Sequence, residues 1–213
     1  MEGFQPLVHL MYQPELLTLM QSLYEWSIVG PDDIDDTKYT ISKKLSEMLS
    51  YVAGFLEEKS FAIDPNMNLH IFFQLLIRVV QHESLTVSIP VLHVWSKLLA
   101  SERVGNTDLV NGLTPPLLGI CTERLIRWES LPSDSENPTV TFLFEDIDTV
   151  PERHAFVGNY RRYCSSIIET IVLKRPQEAI PHILSTIDGN LDNLYNGVDP
   201  FDGKRLVPRV SRV

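Results

Sequence analysis

Residues 142–187 read FLFEDIDTVPERHAFVGNYRRYCSSIIETIVLKRPQEAIPHILSTI. Thr149 with Glu152 three residues later, and Pro151 in the first turn, form the pattern that begins a capped helix. The apolar residues that follow recur at the spacing of one face of a helix: Phe156, Tyr160, Tyr163, Cys164, Ile167, Ile168, Ile171 and Val172. Pro176 ends this helix and begins a second amphipathic run. The segment therefore predicts a helical hairpin, which needs neighbouring helices to bury its apolar stripes.

The residues before this hairpin predict further amphipathic helices. Strand-like alternation is nearly absent, and glycine occurs only 10 times. Proline, serine and acidic residues between 129 and 148 predict an inserted surface loop. The helices that the patterns predict cover residues 14–28 and 38–58, a segment opened by Asp64 and Pro65, a segment capped by Ser84, and a helix capped by Thr107 that Pro115 and Pro116 break before it continues over 117–128. An all-α fold follows.

The starts of the helices indicate how they are organised. They predict one lone helix and then about three antiparallel helix pairs, whose first helices begin near Thr37, Ser84 and Thr149. The first interval is close to the period of about 40–47 residues of HEAT and armadillo repeats. We therefore expect a HEAT-type α-solenoid with a right-handed superhelix over residues 1–196, followed by an irregular basic tail over 197–213. A compact helical bundle is the competing architecture.

Two consequences of a solenoid and of the composition concern association. A stack of helix pairs exposes an apolar stripe at each end, so we expect the chain to be marginally stable or to self-associate. The net charge of −10 disfavours contact of the whole surface with nucleic acid or anionic membrane and suits basic partners.

The sequence contains no run of about 18 apolar residues, the pattern that would predict a membrane span. We expect a soluble intracellular chain in which Cys121 and Cys164 are reduced core residues.

The sequence lacks the patterns that mark common catalytic and metal sites. It contains no HExxH, CxxC, P-loop, GxGxxG or GxSxG motif, and the six histidines are scattered. Cys164 and His154 lie ten residues apart on one predicted helix, too far for a nucleophile and its base. We therefore predict no catalytic residues, no metal site and no cofactor, and no enzyme activity.

Three acidic residues are the first candidates for contact with a partner. Glu145, Asp146 and Asp148 alternate with apolar residues in the predicted loop, and could bind a basic protein surface. The alternative is that Phe144 and Ile147 pack under the following helix and that the acidic residues are only solvated.

Two arginines are the second candidates. Arg161 and Arg162 lie beside Tyr160 and Tyr163 on the long predicted helix, and could contact phosphate or an acidic cargo. The alternative is an ordinary solvated helix face.

Three longer segments resemble a known family. They are SIPVLHVWSKLL at 88–99, ERLIRWESLP at 123–132 and FEDIDTVPERHAFVGNYRRYC at 144–164. They are similar to the exportin-5 group of importin-β-type karyopherins, especially its fungal members, and the resemblance extends from about residue 13 to 194. The chain resembles an interior part of the N-terminal half of these much longer proteins.

The resemblance implies a receptor that shuttles between nucleus and cytoplasm, contacts nucleoporins and binds cargo together with Ran-GTP. Members of the group export phosphorylated proteins in fungi and structured small RNAs or tRNA in animals. The family has no short motif that marks individual contact residues. A HEAT-type scaffold for another protein complex is the alternative, and it would bind its partner without nucleotide dependence.

Overall fold

The computed structural model describes residues 5–133 and 135–194, which form nine α-helices and no β-sheet. The predicted end of the solenoid at residue 196 and the predicted irregular basic tail over 197–213 lie outside the described residues. The helices are α1 (Gln5–Leu10), α2 (Pro14–Ser27), α3 (Asp36–Gly54), α4 (Leu69–Val80), α5 (Leu85–Ala100), α6 (Asp108–Glu123), α7 (Pro138–Asp146), α8 (Val150–Lys174) and α9 (Pro176–Leu194).

Short polar side chains cap the starts of several helices, as the sequence predicts. The Ser84 hydroxyl accepts from the backbone N–H of Val87 at 3.2 Å, and the Thr149 hydroxyl accepts from that of Glu152 at 3.4 Å. Thr107 caps α6 in the same way. Each cap satisfies a backbone donor that has no partner inside its helix. The predicted caps at Ser84, Thr107 and Thr149 are therefore confirmed.

The break predicted at Pro115 and Pro116 is wrong, since α6 is continuous from Asp108 to Glu123. Two prolines remove two backbone donors and leave carbonyls of the preceding turn without their usual partner. The Thr114 hydroxyl donates to the carbonyl of Asn111 at 2.8 Å and satisfies one of them. Burial of the residues that follow, Leu117 among them, then stabilises the helix on both sides of the prolines.

The helix predicted to open at Asp64 and Pro65 begins instead at Leu69. The Asp64 carboxylate accepts from the backbone N–H of Asn66 at 2.7 Å, and this bond holds the segment in a turn. The backbone N–H of Asn68 then donates to the carbonyl of Tyr12 at 3.1 Å, which ties the start of α4 to the preceding helices.

The predicted surface loop over 129–148 is wrong for its second half, because residues 138–146 form α7. Asn137 caps this helix through its side chain, which accepts from the backbone N–H of Thr139 at 3.0 Å. Val140 and Phe142 are buried against the rest of the chain. Nine residues are too few for a periodic signal in the sequence, and tertiary burial decides the helix.

The helices form two layers. One layer holds α3, α5 and α8 in that order, and the other holds α2, α4, α6 and α9. Hydrogen bonds between corresponding ends show that neighbours within a layer are parallel. Near the C-termini of α2 and α4, Tyr24 donates to the carbonyl of Arg78 at 3.3 Å. At the C-termini of α8 and α5, Lys174 donates to the carbonyl of Leu99 at 2.5 Å.

Apart from the short α7, successive helices alternate between the layers, so α2 packs on α3, α4 on α5 and α6 on α8. The hairpin predicted to begin at Thr149 is retained, since α8 packs on α9, whereas the helices that begin near Thr37 and Ser84 pack on the helix before them and not on the one after. A cap marks where a helix begins, but it does not specify which neighbour the helix packs against. A two-layer stack of parallel rows is the architecture of a helical-repeat protein. The predicted all-α, HEAT-type α-solenoid is confirmed.

One continuous core runs between the two layers. Trp95 of α5 is fully buried, and its ring centroid lies 5.4 Å from that of Phe73 on α4. Tyr160 of α8 is also fully buried and hydrogen-bonds to the Ser88 hydroxyl at 3.0 Å. Cys121 and Cys164 are buried free thiols in this core, as the sequence predicts. A hydrogen bond with the Cys164 thiol, and then burial, raise the pKa of the Cys121 thiol.

Candidate partner-binding surface

Asp146 is the last residue of α7, and its side chain is only 5% exposed. Its Oδ2 atom accepts from the Tyr39 hydroxyl at 2.6 Å and from the Thr86 hydroxyl at 2.5 Å. Its Oδ1 atom forms an ion pair with the ammonium group of Lys43. Hydrogen bonds to an ionised group are stronger than neutral ones. Asp146 therefore attaches α7 to the first turns of both α3 and α5.

Tyr39 is the centre of this polar cluster. Its hydroxyl also lies 2.7 Å from the Ser84 hydroxyl, and the Lys43 ammonium lies 4.0 Å from its ring centroid. Burial, and then the hydrogen bond to Asp146, raise the pKa of the Tyr39 phenol. The phenol therefore remains protonated and donates to the carboxylate at any ordinary pH.

Glu145 and Asp148 flank Asp146 and are both exposed. The chain between α7 and α8 is held by Arg153, whose guanidinium donates to the carbonyls of Ile147 at 2.6 Å and Asp148 at 2.9 Å. The same guanidinium lies 4.0 Å from the ring centroid of Phe144. Sequence reasoning missed Arg153, because an arginine in the first turn of a helix has no pattern that distinguishes it from a solvated one.

Arg161 and Arg162 are adjacent in sequence but have different environments. The Nη2 atom of Arg161 lies 3.2 Å from Oε1 of Glu129, whose side chain is 2% exposed. Arg161 therefore neutralises a buried carboxylate. Arg162 is exposed and donates to the Asn159 side chain at 2.7 Å.

A shallow groove follows the outer surface of α8 beside Arg162. Its lining residues are Ala155, Phe156, Gly158, Asn159 and Arg162. Gly158 has open space around the position of a β-carbon. The groove combines small and apolar residues with one exposed guanidinium, which suits an acidic or phosphorylated side chain of a partner.

The five candidate residues are thus not brought together into one site. Asp146 and Arg161 engage the interior of the fold, while Glu145, Asp148 and Arg162 remain exposed. The partner-binding role of all five stays a prediction. Within the described part of the chain, no group of three or more His, Cys, Asp or Glu is placed to hold a metal ion. A search of the same residues found no helix long and apolar enough to span a membrane.

His82 lies at the same end of the stack as Asp146. It is 7% exposed, and its Nδ1 atom accepts from the backbone N–H of Ser84 at 3.0 Å. The ring centroid of Phe142 lies 6.0 Å from that of His82. Burial, and then the neighbouring charge of Arg124, lower the pKa of His82 to about 4, although Asp146 opposes the shift. The folded chain therefore holds His82 neutral.

Replacement of Asp146 tests the attachment of α7. We expect Asp146→Asn to lower the free energy of unfolding by about 1–3 kcal/mol, because the amide cannot balance the charge of Lys43. Urea unfolding measures this change. The matched control Glu145→Gln removes the adjacent exposed charge and should change stability by less than about 0.5 kcal/mol. Equal effects of the two substitutions would contradict the role assigned to Asp146.

Burial of neutral His82 predicts a pH dependence of stability. The unfolded chain takes up a proton near the usual pKa of 6.5 and the folded chain only near 4. The stabilisation is therefore complete above pH 6.5 and is lost as pH falls from 6.5 toward 4, by on the order of 3 kcal/mol. Unfolding curves across this range should show a shallower loss for His82→Asn than for the unchanged chain. The exposed His182→Asn serves as the control and should retain the full slope.

Comparison with known proteins identifies the family. The family model described as the Exportin-5 family matches residues 36–199. Over 172 residues the chain is 27% identical to an uncharacterized protein of Schizosaccharomyces pombe, C328.01c. This match covers 77% of the chain and 14% of that protein. Over 156 residues it is 27% identical to Protein MSN5 of Saccharomyces cerevisiae, covering 73% of the chain and 12% of that protein. The chain thus spans a small part of the length of these relatives. Since the family match covers α3 to α9 of a stacked helical fold, the chain belongs to the Exportin-5 family.

Proposed function

We propose that this chain is a non-catalytic segment of a nuclear export receptor that binds cargo together with Ran-GTP. The observation that carries the proposal is the extent of the family match. It begins at residue 36, the first residue of α3, and reaches residue 199, so it covers both layers of the stack. The similarity to Protein MSN5 over 156 residues supports the same class of protein.

A binding function is supported by the environments of the charged groups. The buried carboxylates of Asp146 and Glu129 are both paired with cations and join elements of the fold. Catalytic acids and bases need a cleft in which the reacting group meets substrate. A helical stack instead offers long surfaces whose shape and rim charges select a partner.

The exposed residues suggest how the segment contributes. Arg162 and the groove on α8 would receive an acidic or phosphorylated side chain of the cargo. Glu145 and Asp148 would contact a basic surface of a protein partner. The net charge of −10 favours a phosphorylated protein over structured RNA for this segment, because an extended polyanion would be repelled by the surrounding surface. Nucleoporin contact and shuttling between nucleus and cytoplasm belong to the same proposal.

A chimeric receptor tests the transport proposal. Residues 36–199 replace the matched segment of Protein MSN5, and binding to immobilised Ran is measured with GTP and with GDP. We expect the chimera to bind the GTP form more tightly than the GDP form and to give a native circular dichroism spectrum, with unmodified Protein MSN5 measured in parallel as the reference. A folded chimera that binds a protein partner equally with either nucleotide would instead support a HEAT-type scaffold for another complex.

The role of Arg162 is tested in the same chimera. Arg162→Glu should weaken binding of a phosphorylated cargo peptide by about 3- to 10-fold, because an exposed charge at a contact contributes on the order of 1 kcal/mol. Fluorescence anisotropy with the phosphorylated and unphosphorylated peptides measures the difference. Lys44→Glu makes the same change of charge at an exposed position of α3 and should alter affinity by less than about twofold. An equal loss in both variants would show that only the overall charge matters.

A further inference from the structure

Side chains of α5 and α8 meet along a seam beside the groove on α8. The ring of Tyr163 on α8 stacks on the imidazole of His93 on α5, with the ring centroids 4.7 Å apart and the planes inclined by 30°. The Arg162 guanidinium lies 5.9 Å from the centroid of the Tyr163 ring and donates to the Asn159 side chain. Lys97 is exposed and lies one turn after His93 on α5. These five residues are called the seam cluster below.

The seam cluster faces away from the second layer of helices. On α5, Trp95 is fully buried against α4. His93 and Lys97 each lie two residues from Trp95, which places them about 200° around the helix from it. On α8, Arg162 lies two residues from the fully buried Tyr160 and is therefore also on the outer side. Since α5 packs between α3 and α8, a helix added at the end of either layer would not cover this seam.

The charge of the seam cluster is opposite to that of the whole chain. Arg162 and Lys97 are both cations, whereas the chain has a net charge of −10. Burial, and then the charge of Lys97, lower the pKa of His93, so the imidazole is neutral at pH 7 and has one N–H donor. The carboxylate of Glu57 also interacts with Lys97 and offsets part of its charge. Arg162 is therefore the stronger cation of the two.

We propose that the seam cluster binds the phosphate of a phosphorylated side chain between Arg162 on α8 and Lys97 on α5. The guanidinium donates two parallel N–H bonds to phosphate oxygens, and the Lys97 ammonium and the His93 imidazole donate from the opposite helix. The Tyr163 ring between them supports the carbon that carries the phosphate. The inference rests on the proposed contact of Arg162 with phosphorylated cargo, and it adds α5 as the second half of that site.

The arrangement of the donors favours a phosphate over a carboxylate. A phosphate group on a side chain has three acceptor oxygens that point in different directions, whereas a carboxylate has two in one plane. The donors approach the seam from two helices, with Arg162 and Asn159 on α8 and with Lys97 and His93 on α5. A carboxylate bound by both arms of the Arg162 guanidinium would leave the donors of α5 unused. An acidic side chain should therefore bind more weakly than a phosphorylated serine.

The titration of His93 tests the site directly in the full chain of 213 residues. The probe is a short peptide of glycine and alanine with one central phosphoserine. NMR follows the C2 proton of His93, assigned with His93→Gln, against pH with and without saturating peptide. Because a dianion beside the imidazole favours its charged form, the pKa of His93 should rise by about 1. An unchanged pKa, or no detectable binding of the peptide, overturns the proposal.

Substitutions on the two helices test whether both contribute. Arg162→Gln should weaken binding of the phosphoserine peptide by about 10-fold, and Lys97→Gln by about 3-fold because Glu57 already offsets part of its charge. Lys44→Gln removes an exposed charge from α3 and should change the affinity by less than about twofold. Circular dichroism checks that each variant is folded. An equal effect of Lys97→Gln and Lys44→Gln overturns the proposal, since only the overall charge would then matter.

A second peptide identifies the chemistry that the site prefers. The same peptide with glutamate in place of phosphoserine should bind at least about fivefold more weakly, and equal binding of the two peptides overturns the proposal. This outcome is separate from that of the chimeric receptor. A chimera that prefers Ran-GTP while the peptide fails to bind retains the transport function without this site. Peptide binding without a nucleotide preference retains the site and contradicts the transport function.

Discussion

The fold depends on the burial of α5 from several sides at once. This helix contacts α3 and α8 within its own layer, α4 in the other layer, and α7 across its first turns. Its buried residues are Leu85, Val87, Ser88, Val91, Leu92, Val94, Trp95, Leu98 and Leu99. Full burial of one large apolar side chain contributes about 1.5–3 kcal/mol. A helix with so wide an apolar surface is stable only when other helices cover it. The positions of α3, α4, α7 and α8 follow from the parts of this surface that each of them buries.

Polar contacts fix the end of the stack where α5 begins. The Ser84 hydroxyl caps α5 and also meets Tyr39 of α3, while Thr86 reaches Asp146 of α7. One carboxylate thus connects three helices that are far apart in sequence. A buried charge is tolerated when it is paired and fully hydrogen-bonded, and removing one partner is then costly. The ion pairs of Asp146 with Lys43 and of Glu129 with Arg161 therefore contribute to the packing of the helices.

The described helices expose both charged and apolar side chains. The outer face of α8 presents one guanidinium beside a shallow groove, and the exposed acids flank α7. Apolar side chains are exposed on α2 and α9, among them Leu19 and Leu184. Contacts between exposed charges weaken as the salt concentration rises, whereas contacts between exposed apolar side chains do not depend on charge. Membership of the Exportin-5 family is consistent with a protein whose function resides in extended surfaces.

The helical class, the stack architecture and the capped starts at Ser84, Thr107 and Thr149 were all predicted from residue patterns, because apolar periodicity and helix caps are properties of short segments. The sequence also identified the family through long similarity. The residue patterns did not predict that α7 is a helix, that α6 continues through two prolines, or that α3 packs on α2 and α5 on α4. These features are stabilised by burial against residues far away in the sequence, which a local pattern does not contain. The different environments of Arg161 and Arg162 also depend on contacts with residues far away in the sequence. A buried carboxylate 32 residues away engages one of them, and no local pattern encodes that contact.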